Sequence, residues 1–113
     1  MAVQNGTLVH LESGLLRFAV TALLNANQTT AVDLGLRRPE LSFSVAGTLG
    51  VGGSVRMEAS DDAASWTAVG AAVTAVGGTE QRTHAARYTR FNVTAGDGAT
   101  SFNITMTAHP ARG

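Results

Sequence analysis

The chain carries three histidines, His10, His84 and His109, and at neutral pH an imidazole is the commonest general base and metal ligand. They are spread along the sequence and none is read as paired with an acidic residue that would orient it, so they are expected to be isolated surface or edge residues. Ser13-Gly14 and Gly52-Gly53-Ser54 lack the strand-to-helix elbow that activates a nucleophilic serine. The glycine-rich stretch 47–53 has no Lys-Ser/Thr ending and leads into a strand, so it presents no helix N-terminus to a phosphate and reads as a hairpin loop. Asp61-Asp62 has two readings. With Glu58, Asp97 and carbonyls it would approach the about six to eight oxygens that Ca²⁺ takes; as an Asx-type turn it would cap the preceding strand, and the turn is favoured. Trp66 would suit a carbohydrate platform, but a single Trp that follows a turn into a strand is expected in the core. With no Cys there is no thiolate zinc site, disulfide or cysteine nucleophile. This inventory predicts no catalytic residue, no cofactor and no metal.

The elements that would position these residues are strands. In 113 residues there is room for one domain with a single two-layer core. Leu41, Phe43, Val45 and Gly47 alternate with Ser42, Ser44 and Ala46, the period of a strand with one buried face. Val55, Met57 and Ala59 alternate with Ser54, Arg56 and Glu58, which sets the two charges on the outer face for water or a cross-strand neighbour. Residues 66–69 resume an extended pattern, and residues 71–76 are a short strand or a loop. Thr89, Phe91 and Val93 alternate with Tyr88, Arg90 and Asn92; residues 95–98 form a hairpin-like connection; Phe102, Ile104, Met106 and Ala108 alternate with Asn103, Thr105 and Thr107. Residues 29–34 read as a strand from their β-branched content. In residues 15–24 the apolar positions fit both a helical stripe and an alternating strand, and Arg17 is awkward in either; the strand is favoured for 18–23. The expected fold is all-β, an antiparallel sandwich or jelly roll of about seven or eight short strands, over residues 17–109. Residues 1–16 are an N-terminal arm or the first strand, and residues 110–113 a frayed tail.

Charge narrows the partners. Arg and the acidic residues balance at eight each and only 14% of residues are charged, so neither nucleic acid nor an anionic membrane has a global electrostatic pull on the chain. No stretch resembles a signal peptide or a membrane span. All eight basic residues are Arg, including Arg37, Arg38, Arg82, Arg87 and Arg90, which fits bidentate pairing across a protein interface and equally fits a GC-rich genome that also enriches Ala and Gly.

From Thr29 onward the order of elements resembles a group of small virion proteins of tailed bacteriophages. The shared pattern runs through Val32-Asp33-Leu34 and Val45-Ala46-Gly47-Thr48-Leu49-Gly50 to Ser54-Val55-Arg56-Met57-Glu58-Ala59-Ser60-Asp61-Asp62, with Trp66 beyond. It ends with Ala86-Arg87-Tyr88-Thr89-Arg90-Phe91-Asn92-Val93-Thr94 and a last alternating strand. Such proteins usually carry Ser-Asn-Asp-Gly-x-x-Trp where this chain has Ser60-Asp61-Asp62-Ala63-Ala64-Ser65-Trp66, so the motif's glycine is missing. The resemblance implies a structural protein of the virion, a decoration or cement protein on the capsid surface. It would be made in the host bacterium's cytoplasm, bind the major capsid protein, and associate with copies of itself as a dimer or trimer. Leu8, Val9, Leu11, Leu15, Leu16, Arg37, Arg38, Arg87 and Arg90 are the expected interface residues. A phage tail or receptor-binding module and a free carbohydrate-binding domain are the alternatives.

Overall fold

A computed structural model describes residues 3–10, 16–34, 40–83 and 86–109. They form eleven strand segments, four of them only two residues long: β1 (Val3–Gln4), β2 (Thr7–His10), β3 (Leu16–Leu24), β4 (Gln28–Thr29), β5 (Val32–Asp33), β6 (Glu40–Thr48), β7 (Ser54–Ser60), β8 (Thr67–Ala68), β9 (Thr79–Thr83), β10 (Tyr88–Ala95) and β11 (Ser101–His109). The first sheet runs β1-β4-β10-β7-β8, with β5 also on β10; the second runs β2-β3-β11-β6-β9. Every pairing is antiparallel except β1 with β4. The chain is a β-sandwich, as the alternating patterns predict.

The neighbours of the strands differ from expectation. β10 and β11 belong to opposite sheets, so residues 96–100 are a crossing between layers and not a hairpin turn. The same correction applies to residues 49–53, which carry the chain from β6 in the second sheet to β7 in the first. Alternation fixes which face of a strand is apolar and leaves open whether two such faces lie side by side or face to face. Here they face each other: Phe43 on β6 meets Phe91 on β10 edge to face, ring centroids 5.1 Å apart and planes at 63°. The two crossings lie at the same end and are tied together. Asp97 Oδ2 accepts the Val51 N–H at 3.1 Å, and the Thr100 hydroxyl donates to the Leu49 carbonyl at 3.0 Å. Gly50, at φ 70°, lies where a side chain would strike the Asp97 carboxylate and the Thr100 hydroxyl.

The ambiguous segment is strand β3, and a bulge explains its mixed pattern. Val20 stands opposite Ile104 and Leu23 opposite Phe102, so Thr21 and Ala22 share the single residue Asn103 across the ladder. Ala22 takes a left-handed φ of 57°, and its N–H is capped by Asn103 Oδ1 at 2.9 Å. Beyond the bulge the buried phase shifts, which puts Leu23 in the core and Leu24 outside, while Arg17 lies on the outer face. Residues 29–34 give two short pieces, β4 and β5, both on β10, instead of one strand. Residues 71–76 are irregular apart from a bridge between Val55 and Val73, and β9 follows where no strand was expected.

Residues 3–10 belong to the sandwich. β1 edges the first sheet and β2 the second, so this segment spans the gap between the layers on one side. Gly6 makes the crossing; a Cβ there would collide with the Phe18 ring and come within 2.7 Å of the Ala19 carbonyl. Gln4 anchors the segment, its Oε1 accepting the Leu24 N–H and the Asn27 amide at 2.8 Å each, and its Nε2 donating to the Ala22 carbonyl at 2.9 Å. Replacing Gly6 by Ala is expected to cost about 1 to 3 kcal/mol in urea unfolding, because the methyl must displace Phe18 or the β3 backbone. Gly78→Ala, where a Cβ would meet open space, is the control and is expected to change stability by less than about 1 kcal/mol.

Candidate functional site

The densest polar cluster among the described residues sits on the outer face of the first sheet. The β7–β10 register sets Arg90 opposite Glu58 and Asn92 opposite Arg56, and β8 adds Ala68 on the other flank of Glu58. The Glu58 side chain is only 1% exposed although it lies on an outer face. Arg90 Nε donates to its Oε1 at 2.7 Å, Arg56 Nε to its Oε2 at 2.6 Å, and Asn92 Nδ2 to Oε2 at 3.4 Å. Burial pushes this carboxyl upward, and the hydrogen bonds from Arg90, Arg56 and Asn92 outweigh it, so Glu58 sits below the ordinary glutamate range and stays ionised. The sequence leaves Glu58 to water or to a cross-strand neighbour; the neighbour takes it.

The lid over this cluster is Trp66, whose ring lies 4.2 Å from the Arg90 guanidinium carbon. Trp66 is half-buried on the outer surface, which corrects the expectation of a core residue: the turn before it returns the chain along the sheet's outer side. That turn is built from side-chain acceptors. The Ser60 hydroxyl accepts the Asp62 and Ala63 N–H groups at 3.2 and 2.9 Å and donates to Asp62 Oδ1 at 2.9 Å. Asp62 Oδ1 in turn accepts from Ala64 and Ser65 at 2.9 and 3.0 Å. The Ser65 and Ala64 N–H groups, with the Ser60 hydroxyl, hold the Asp62 carboxyl down to about 2. Ala63 closes the turn at φ 61°, a left-handed conformation that costs an L-residue about 1 kcal/mol relative to Gly.

The carboxylates weighed for Ca²⁺ do not converge. Glu58 is bound by guanidinium groups, and Asp62 lies past the Ser60 end of β7. Asp97 lies past the opposite end, where Ala95 pairs with Ser54, and it is lowered by the Val51 and Ala99 N–H groups. Among the described residues no three His, Cys, Asp or Glu side chains gather into a metal-sized group. His109 stands opposite Glu40 in the β6–β11 register and His10 opposite Leu16; His84 lies outside the described residues.

The expected interface residues separate. Leu8 and Val9 are exposed on edge strand β2, at 39% and 43%. Leu16 is a correction, since the β3 pleat turns it into the core. Arg90 gives its guanidinium to Glu58 beneath the Trp66 ring. Arg87 lies on the surface in a two-pronged pair with Asp33, both contacts at 2.9 Å. Leu11, Leu15, Arg37 and Arg38 fall outside the described residues. Arg82 reaches over Phe43, 5.7 Å from its ring, to donate to the carbonyls of Val69 and Ala71. Sequence reasoning missed the Glu58 cluster. Its one signal is Arg56 and Glu58 two apart on a strand, and their partner Arg90 is 32 residues further along the chain.

Comparison with protein-family models, with curated proteins and with solved structures finds no match for this chain. Arg90→Met is expected to destabilise the fold by about 3 kcal/mol in denaturant titrations, because it leaves a buried carboxylate with only Arg56 and Asn92 as partners. Arg87→Met, which opens a solvent-exposed pair, is expected to cost less than about 1 kcal/mol.

Proposed function

We propose that this β-sandwich is a structural component of a tailed-bacteriophage particle, a decoration protein that binds the major capsid protein and stabilises the head. The observation that carries the reading is the turn from Ser60 to Trp66. Similar small virion proteins have Ser-Asn-Asp-Gly-x-x-Trp, and each matching position here has a constructive role. Ser60 and Asp62 hold the turn, and Trp66 lands on Arg90. Position 63, where those proteins have Gly, has the left-handed backbone that favours Gly. The resemblance therefore rests on a turn whose geometry gives Ser60, Asp62 and Trp66 their roles and favours Gly at position 63, with Asp61 and Ala63 as the two departures.

Two further observations support work by surface contact. The conspicuous charged groups, Glu58, Asp62, Asp97, Arg82 and Arg90, are engaged in holding the fold. Apolar side chains are left outside on the N-terminal strands, with Val3 at 56% exposure beside Leu8 and Val9. A protein repeated over a lattice needs only modest affinity per contact, because many seats and clustered copies raise its occupancy. The half-exposed Trp66 favours a second reading, a tail or receptor-binding module that meets a glycan.

Counting copies per purified particle by quantitative mass spectrometry separates the two. The decoration reading predicts a stoichiometry that matches capsid lattice positions, with rebinding of the purified protein to stripped shells. A handful of copies that leave with detached tails would overturn it in favour of the tail module.

A further inference from the structure

We propose that strand β2 is a docking edge for a second copy of this chain, the two copies joining their second sheets edge to edge about a two-fold axis. Unpaired strand edges are templates for association, and folded proteins blunt them with charge, proline or brevity. Among the described residues the other edge pieces are blunted: β1, β5 and β8 are two residues long, and β9 carries Glu80 and Arg82. β2 is the exception. Thr7-Leu8-Val9-His10 has neither Pro nor an acidic, Lys or Arg residue, and among the described residues β3 is its one strand neighbour.

The side chains on this edge show an unfinished surface. Leu8 stands opposite the buried Phe18 and so points to the inner face of the sheet, yet it remains 39% exposed, and among the described residues no strand flanks it on the open side. Val9 stands opposite Arg17 on the outer face. A second copy supplies what is missing. An antiparallel edge is self-complementary under a two-fold axis, and a chain with no net charge does not repel its copy. Inner residues must meet inner residues, so the axis passes through a residue, and at Leu8 it brings the two exposed inner leucines together. Leu8 then lies opposite Leu8 of the copy, and Thr7 opposite Val9 of the copy.

Four residues bury little area, so the pair is weak in dilute solution and is favoured where copies are crowded. The proposal deepens the decoration reading and rests on it only for the crowding that a lattice supplies. The test uses the isolated full chain without shells, so its failure is distinct from failure of that reading. Sedimentation equilibrium is expected to show a concentration-dependent dimer, and Val9→Lys to weaken it at least tenfold while circular dichroism stays unchanged. The chain has no Cys, so Leu8→Cys supplies the one thiol and is expected to give a covalent dimer on mild oxidation. Val51→Cys, on an exposed loop at the end of the sandwich, is expected to form no covalent dimer under the same oxidation. A monomer at every concentration up to about 1 mM overturns the proposal. So does a dimer that Leu8→Cys does not cross-link, or one that folded Val9→Lys leaves intact. A monomer that still fills capsid lattice positions sinks this pairing and leaves the decoration reading standing.

Discussion

A carboxylate taken out of water must be matched or it unfolds its surroundings, and Glu58 sets that condition for the whole first sheet. Moving such a charge into a protein costs several kcal/mol after relaxation, a sizeable part of a small domain's total stability. Two guanidinium groups and an amide meet the cost here, and each comes from a fixed place in the ladder: Arg56 two residues back on the same strand, Arg90 and Asn92 from the strand beside it. The match pins the register. A slip of one residue between β7 and β10 would turn Arg90 toward the core and Phe91 toward water while leaving Glu58 only its same-strand partner, Arg56. The cluster also needs a cover, and that need gives the Ser60–Trp66 turn its form, since the turn returns the indole to the Arg90 guanidinium.

The second sheet is fastened differently, through apolar packing and through its connections. Its inner face presents Phe18, Phe43, Phe102 and Ile104 to Phe91, Val55 and Met57 of the first sheet. Chain crossings tie the two layers at one end by the Asp97 and Thr100 contacts, and the N-terminal segment bridges them at one side through Gly6 and Gln4. Polar side chains with strong preferences thus end up as joints: Asn103 caps the bulge in β3, Arg82 secures the loop over Phe43, and Asp62 holds its turn. What remains free for other molecules is the outside, above all the unblunted strand near the N-terminus.

Much of the fold was legible because period-two alternation reports burial directly. The strands around Phe43, Met57, Phe91 and Ile104 lie where their patterns put them, and their apolar positions are the core. Alternation carries no information about partners, so β6 with β7 and β10 with β11 read as hairpins when they are opposite layers. The bulge at Ala22 was hidden because it changes the phase within a strand, and its cap, Asn103, lies 81 residues further along the chain. β9 was hidden by its polar composition, Thr-Glu-Gln-Arg-Thr, which an edge strand tolerates and which looks like loop. Of the site, Leu8 and Val9 were readable as apolar residues without an obvious core role. Leu16 was not separable from them, because the start of β3 has no sequence marker. The pairing of Arg90 with Glu58 was not legible because a cross-strand carboxylate cannot be seen from either strand alone.

The ionic groups of the described residues are thus largely engaged with one another and with the backbone, and Glu58 is where that engagement is most open to measurement. A carbon-13 NMR titration of the Glu58 side-chain carboxyl, with the Trp66 indole followed in the same samples, tests it directly. A folded-state value below the unfolded one means that the stability Glu58 supplies is complete above the ordinary glutamate range of about 4.3 and disappears as pH falls through the lower folded value. The Glu58 midpoint is expected below that range, with the indole signal moving at the same pH as Arg90 loses its partner. A midpoint at or above about 4.3, or an indole that ignores the titration, would contradict it.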